Sequence, residues 1–462
     1  MDYKEFLKQK QHSNINYGIE PNFDVGDMFD FQKHIADYAI KKGRSAIFLD
    51  TGLGKTVIEL SIACNYVNAF NKPVLIITPL AVAFQFIKEA AKFNIDDVEY
   101  SKNGKFTKKI VICNYERLQH FDSNDFDCVI LDESSILKNF DGATKTAITT
   151  FLKKVKYRYL ATATPSPNDY IELGTSSEAL GYMGYMDMLS RFFKNNQNNV
   201  AKLSQISKAR QGEEWYLKPH AENDFWKWVA SWSISAKKPS DLGFSDDRYI
   251  LPELNEKTHT VKNDSPLIIA GQFSMFNKPA VGFSEIKQEV RATIEKRCEK
   301  AVELSSKHET SVYWCNLNDE SKLLKELDIN SVEIIGSMDI DKKEDILLNF
   351  ADGNIKKLIT KSSITAFGLN WQHCNHCTYF PTFSYEQYYQ SIRRFWRFGQ
   401  KNDVDVDLII SDGQNRIIES LMIKKDKAIK MFENLINQTN TDFEMKTKEF
   451  NKQINLPKFL QS

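Results

Sequence analysis

Leu49-Asp50-Thr51-Gly52-Leu53-Gly54-Lys55-Thr56 has the residue types and spacing of a phosphate cradle. Gly52 and Gly54 let the backbone curl so that successive N–H groups point inward at anionic oxygens. The helix pattern that follows, Val57 to Phe70, adds the partial positive charge of its N-terminus. Lys55 can reach the β- and γ-phosphates of a nucleotide, and the Thr56 hydroxyl can ligate magnesium. Leu49 stands where the general GxxxxGKS/T pattern has its first glycine, so a tight turn with an ordinary surface lysine is the competing reading.

Two further groups suit the same chemistry. Val129-Ile130-Leu131-Asp132-Glu133 sets adjacent carboxylates at the end of an apolar strand, where ligands gather in parallel sheets. Asp132 would hold the metal through its water shell, and Glu133 would orient and deprotonate an attacking water; a helix cap is the alternative. In Tyr389–Gln400, Arg394 and Arg397 are three apart and would share one helix face, with Arg393 pointing elsewhere. Two guanidiniums brought from a separate lobe can neutralise charge that develops during γ-phosphoryl transfer. Phe395, Trp396 and Phe398 argue against a solvated basic face. Thr162-Ala163-Thr164-Pro165 could relay the state of the phosphate to that lobe.

Two α/β blocks must position these groups. Apolar strand candidates lie at Ala46–Leu49, Val74–Ile77, Ile110–Cys113, Cys128–Leu131 and Tyr157–Ala161. A second set lies at Ser311–Cys315, Val332–Ile335, Lys357–Ile359, Cys377–Phe380 and Val404–Ile410. Continuous apolar runs alternating with helix patterns such as Glu386–Phe395 predict two doubly wound parallel sheets flanked by helices. The expected organisation is a first lobe over 1–174, a mostly helical insertion over 175–245, a second lobe over 246–440 and a polar tail over 441–462. Residues 246–261 would cross between lobes, and helical patterning runs from Asn415 to Ile436.

Lys+Arg and Asp+Glu both total 61, so bulk charge argues for no polyanionic partner, although a local basic surface stays open. Arg191, Lys194, Lys202, Lys208 and Arg210, in a stretch without acids, could lie along a phosphate backbone; a flexible polar loop fits equally well. Trp226, Trp228 and Trp232 suit a small core better than base stacking. The seven cysteines, odd in number and partly within apolar strands, imply buried thiols in a reducing compartment. No run approaches the roughly 18 apolar residues of a membrane span, and the N-terminus lacks a signal-peptide core. A cytoplasmic protein with no membrane partner is expected. The CxxC near His373 lacks a second ligand pair and predicts no zinc.

In this order the motifs resemble those of the superfamily-two helicase-type ATPases, on the branch of the Swi/Snf-like DNA translocases. The likeness spans roughly residues 28 to 435. Phe31-Gln32 resembles the adenine-reading glutamine, and Asp50–Thr56 is similar to the family's D-x-G-L-G-K-T. Asp132-Glu133-Ser134-Ser135 stands where the family has D-E-A/G-H, and Thr162–Asn168 resembles T-G-T-P-x-x-N. Ala366–Asn370 looks like the motif that touches both DNA and nucleotide. Gln390, Arg394, Arg397, Gly399 and Gln400 fit Q-x-x-x-R-x-x-R-x-G-Q. The compact chain and Asn370–Cys374 look most like versions carried by phages and prophages.

The resemblance implies two RecA-like lobes, ATP and magnesium as cofactors, and DNA, duplex favoured, as partner. It implies nucleotide contacts from Gln32, Thr51, Gly52, Leu53, Gly54, Lys55, Thr56 and Gln390, and metal held by Thr56 and Asp132. Catalysis would fall to Lys55, Asp132, Glu133, Arg394 and Arg397, and nucleic-acid contacts to Thr78, Pro79, Lys361, Thr365 and Asn370. The implied activity is ATP-driven helicase or duplex translocation in phage DNA replication or recombination, with the proteins of that process as further partners. The alternative is an ATP-gated DNA-binding switch without processive motion. Ser134-Ser135 in place of the usual residues puts the coupling supplied there in doubt.

Overall fold

The computed structural model describes residues 16–138, 142–195, 215–247, 249–263, 268–269, 272–273, 283–365 and 370–448. Residues 366–369 of the expected motif that ends at Asn370, most of the basic stretch to Arg210 and the tail beyond 448 lie outside them.

Strands β1 (Arg44–Leu49), β2 (Val74–Thr78), β3 (Val98–Tyr100), β4 (Ile110–Asn114), β5 (Cys128–Asp132) and β6 (Tyr157–Thr162) build the first lobe. They join one sheet in the order β3-β4-β2-β5-β6-β1, and every pairing is parallel. β2, β4, β5 and β6 are buried along their whole length, the pattern of a sheet covered on both faces. One face is covered by α1 (Asp30–Lys42) and α2 (Lys55–Phe70). Phe31, Ile35, Ala39 and Ile40 of α1 pack with Ile58, Leu60 and Ile62 of α2 over Ile47, Ile76 and Ile130.

Residues 175–245, expected to be mostly helical, also supply strands. β7 (Phe193–Asn195) and β8 (Trp215–Leu217) form an antiparallel ribbon. β9 (Ser233–Ala236) adds to the first sheet beside β1. Its Ser-Ile-Ser-Ala sequence hides the strand, because the serines between its apolar residues are themselves buried. Trp226, Trp228 and Trp232 are buried in the first lobe's core.

In the second lobe β10 (Leu254–Val261) is a strand, where sequence reading expected only a crossing. Its mixed exposure, with Lys257 and Thr258 facing water, conceals it from apolar periodicity. A short antiparallel pair follows, β11 (Ile268–Ile269) and β12 (Gln272–Phe273). Then come β13 (Ser311–Cys315), β14 (Val332–Glu333), β15 (Lys357–Lys361), β16 (His376–Tyr379) and β17 (Val404–Ser411). The order is β10-β17-β16-β13-β15-β14, parallel throughout.

Two helices tie the lobes together. α3 (Tyr385–Ile392) presents the second lobe's face to the first. α4 (Asn415–Lys448) leaves the second lobe and carries Met431, Phe432 and Leu435 into the first lobe's core beside Phe48, Leu131 and Trp232. Crossing contacts include Tyr170 Oη to Lys427 O at 3.0 Å and Lys424 Nζ to Asn168 Oδ1 at 3.0 Å, and Lys138 pairs with Glu386. No helix among the described residues is long and apolar enough to cross a membrane.

Candidate active site

β1 ends at Leu49, and the chain curls through Asp50–Gly54 before α2 begins at Lys55. Gly52 and Gly54 have φ of 91° and 82°, a region that side chains with a Cβ rarely adopt. Space forbids a side chain as well. A Cβ on Gly54 would lie 2.2 Å from Gln32 Nε2, and one on Gly52 would lie 3.0 Å from Phe398 N of the other lobe. Gln32 caps α1, since its Oε1 accepts Phe29 N–H at 3.1 Å while its Nε2 donates to Leu53 O at 3.1 Å. Both ends of its amide thus tie α1 to the phosphate loop. Lys55 Nζ is folded back and donates to Leu49 O at 3.1 Å.

Asp132 closes β5 and is buried. The Thr78 hydroxyl donates to its Oδ2 at 2.9 Å, and Tyr115 Oη donates to its carbonyl at 2.6 Å. Burial, and then the Glu133 charge, push the Asp132 carboxyl above the usual carboxylate range. Glu133 has φ of 50°, a left-handed conformation that costs a non-glycine about 1–2 kcal/mol. That turn aims its carboxylate across the cleft. Oε2 accepts from Thr162 Oγ1 and from Gln390 Nε2 of the second lobe, both at 3.4 Å. Beneath them lies Glu59, fully buried, neither oxygen having a hydrogen-bond partner among the described residues. Sequence reading gave Glu59 no role, since one acid in an amphipathic pattern carries no sign of burial.

The expected helix over Glu386–Phe395 stops at Ile392. Arg394 and Arg397 therefore sit on tight turns held by Arg394 N to Ser391 O and Arg397 N to Phe395 O, not on one helix face. Both nevertheless line the cleft. Burial first and Arg397 second lower Arg394 to about 9; burial and then Arg393 lower Arg397 to about 10. Arg397 Nε is buried with no partner among the described residues. A buried Arg394 beside a half-buried Arg397, each lowered by a cationic neighbour, makes a site suited to an anion.

Arg393, expected to point elsewhere, is the main correction. Its Nη2 lies 2.6 Å from Asp50 Oδ2, and its Nε donates to Thr51 Oγ1 at 2.5 Å. The premise of an unbroken helix misplaced it.

These groups surround a cavity of about 230 Å³ between the lobes. Gln32, Thr51, Gly52, Gly54, Lys55, Thr56, Asp132 and Glu133 line it from one side, and Gln390, Arg394 and Arg397 from the other; Leu53 is buried beneath. Phe29, Tyr249 and Phe398 also line it; sequence reasoning singles out Phe398 only as an aromatic beside the arginines and misses Phe29 and Tyr249. Tyr249 stacks on Phe398 at 4.7 Å and meets Phe29 edge-on at 5.7 Å, an assembly of three distant segments with no local signal. Oxygen donors from Thr56 and Asp132, with phosphate oxygens to complete the shell, suit magnesium, which rarely takes an all-protein cage.

The residues expected on a nucleic-acid face divide. Thr78 is fully buried, and its hydroxyl serves Asp132, so that side chain is not available to a nucleic acid. Asn370 lines the inter-lobe cavity. Pro79 follows β2, and Lys361 ends β15 with Nζ donating to Asn318 Oδ1 at 2.6 Å. Thr365 lies in the short helix Ser362–Thr365, and its side chain is outside the described set.

Two parallel-sheet lobes, a phosphate loop and paired carboxylates on one, and paired arginines on the other define a helicase-type P-loop NTP hydrolase with two RecA-like lobes. Residues 31–176 match the SNF2-related domain and residues 291–399 the helicase conserved C-terminal domain. Together they take in over half of the chain. This chain belongs to the Swi/Snf-like branch of the superfamily-two helicases.

Among its relatives is the Xenopus laevis SWI/SNF-related matrix-associated actin-dependent regulator of chromatin subfamily A-like protein 1, 29% identical over 34% of this chain and 17% of that protein. The Bos taurus protein of that name is 31% identical over 33% of this chain and 17% of its own length. The Bos taurus DNA annealing helicase and endonuclease ZRANB3 is 26% identical over 33% and 16%. The chain thus matches under a fifth of the length of these relatives. The Sulfolobus solfataricus SWI2/SNF2 ATPase core in complex with dsDNA aligns over 95% of this chain and 99% of that one, at 16% identity and a TM-score of 0.41.

Proposed function

We propose that this protein is a DNA-stimulated ATPase that moves along duplex DNA by closing and opening its two lobes. One observation carries the reading: the buried Arg394 and the half-buried Arg397 of the second lobe line the same cavity as the phosphate loop of the first. Lys55 and the backbone N–H groups of 52–56 bind phosphates. Gln32, with the aromatic group at Phe29 and Tyr249, borders the base end. Thr56 and Asp132 would hold magnesium, which would supply neutralisation of phosphate charge there. Glu133 takes the proton of the attacking water, and Arg394 and Arg397 stabilise charge that develops on the transferred group.

Because Glu133 already meets Gln390 across the cleft, the lobes must be together for the base to be held. Opening then separates the base's second support from it, which links turnover to lobe motion. DNA as the partner is supported by the family and by the names of its relatives, one a DNA annealing helicase. Pro79, Lys361, Thr365 and Asn370 are the proposed nucleic-acid contacts. Phage DNA replication or recombination is the proposed setting, resting on the likeness of Asn370–Cys374 to phage-borne versions.

ATP turnover should be measured without DNA, with single strands and with duplexes of increasing length, beside triplex displacement. Turnover that rises with duplex length and displaces the third strand is expected. Turnover indifferent to DNA length would replace the motor by an ATP-gated switch.

A further inference from the structure

We infer that Arg393 is a positioning residue that latches the second lobe onto the entrance of the phosphate loop, so that lobe closure and the setting of the arginine pair are one event. The inference rests on the ATPase reading above and adds to it a device that controls it.

Arg393 reaches 342 residues back along the chain. Its Nη2 pairs with Asp50 Oδ2 at 2.6 Å and donates to Thr51 O at 3.1 Å, while Nε donates to Thr51 Oγ1 at 2.5 Å. The Asp50 carboxylate is held from both sides, because Tyr389 Oη also donates to its Oδ1. From its own lobe, Thr51 N–H donates to that Oδ1 at 2.6 Å. The guanidinium lies over Trp396 at 4.8 Å, and its side chain is 4% exposed against 17% for Asp50. A planar fork with five donors, stacked on an indole and aimed at one carboxylate and one threonine, is a fixed joint that a lysine could not reproduce.

The placement gives the joint its consequence. Asp50 and Thr51 immediately precede Gly52, so whatever grips them sets the curl of the phosphate-binding backbone. Arg393 immediately precedes Arg394 and shares its stretch of turns with Arg397. Gripping Asp50 therefore seats the two arginines at a fixed offset from the loop. The latch also forms a wall. On its far side lies a second cavity of about 320 Å³, lined by Tyr385, Tyr388, Trp396 and Phe432 and bordered by Asp50 and Arg393. Its lining also carries the Glu256–Lys425 pair at 2.7 Å, with Lys237 and Thr164 beside it.

The test uses the full chain and compares wild type with Arg393→Gln, Asp50→Asn, the double variant and Tyr389→Phe. Readouts are kcat and KM for ATP with saturating duplex, affinity for a fluorescent ATP analogue, and inter-lobe distance by fluorescence transfer with and without a non-hydrolysable analogue. Arg393→Gln and Asp50→Asn should each lower kcat tenfold or more, change analogue affinity less than threefold and lengthen the inter-lobe distance. The double variant should be no worse than either single one, because both remove the same joint. Tyr389→Phe removes a single hydroxyl and should lower kcat severalfold in a protein that melts as wild type does; it keeps the question answerable if an Arg393 variant misfolds. Wild-type kcat and distance in folded Arg393→Gln and Asp50→Asn would overturn the latch while leaving the ATPase reading intact. A wild-type protein that hydrolyses no ATP would overturn both.

Discussion

Replacing Glu59 by glutamine should make the protein more stable at neutral pH, and by an amount that depends on pH in a known direction. The Glu59 carboxyl is fully buried, and burial, then the neighbouring Asp132 charge, push it well above the ordinary carboxylate range. In the unfolded chain it ionises near pH ~4.3, whereas in the fold it holds its proton to higher pH. Between those two values the folded state binds more protons than the unfolded one, so stability falls as pH rises. The slope for one group is at most about 1.4 kcal/mol per pH unit. From pH 5 to pH 7 the wild type should therefore lose up to about 2.7 kcal/mol that Glu59→Gln, which has no proton to release, does not lose. Urea unfolding at pH 5, 6, 7 and 8, with hydrogen exchange of the β2 and β5 amides to isolate the first lobe, measures the difference. The two profiles should meet near pH 4.5 and diverge above it. Parallel profiles, or a variant less stable at every pH, would refute the reasoning and show Glu59 ionised against Lys55.

Other changes test other parts. Glu133→Gln should lower kcat by about 10²–10⁴ with nucleotide affinity retained, measured by single-turnover hydrolysis and equilibrium binding. Arg397→Ala should cut kcat by about 10³–10⁵, the range for an arginine that stabilises transferred charge, while binding falls much less. Acid should weaken the second lobe through His308, whose ring stacks on His376 at 3.7 Å. Burial and then His376 lower His308 below the ordinary imidazole value, so the unfolded chain takes up a proton first as pH falls through about 6.5. Stability should drop over that window, and His308→Phe should flatten the drop in a melting series from pH 7.5 to 5.5.

Much of this architecture could be read from residue order alone, for physical reasons that also explain the misses. β2, β4, β5 and β6 are buried on both faces, and such strands must be continuous apolar runs. The phosphate loop and the Asp132–Glu133 pair are local, so spacing exposes them. β9 escaped because its buried serines break the run, and β10 because an edge strand beside water keeps lysines and threonines. Arg393 was misplaced by one structural assumption, a helix carried past Ile392. The family resemblance implies a DNA contact at Thr78, whereas its buried hydroxyl supports Asp132. The stack of Tyr249 on Phe398 is assembled from segments far apart, and no window of sequence contains it.

The most direct measurement is a crystal structure with magnesium and a non-hydrolysable ATP analogue. The phosphates should lie on the N–H groups of 52–56, with the Arg394 and Arg397 guanidiniums within hydrogen-bond reach of the terminal one. A nucleotide seated in the cavity beyond the Asp50–Arg393 pair, or an arginine pair turned out to solvent with the analogue bound, would contradict a site shared between the two lobes.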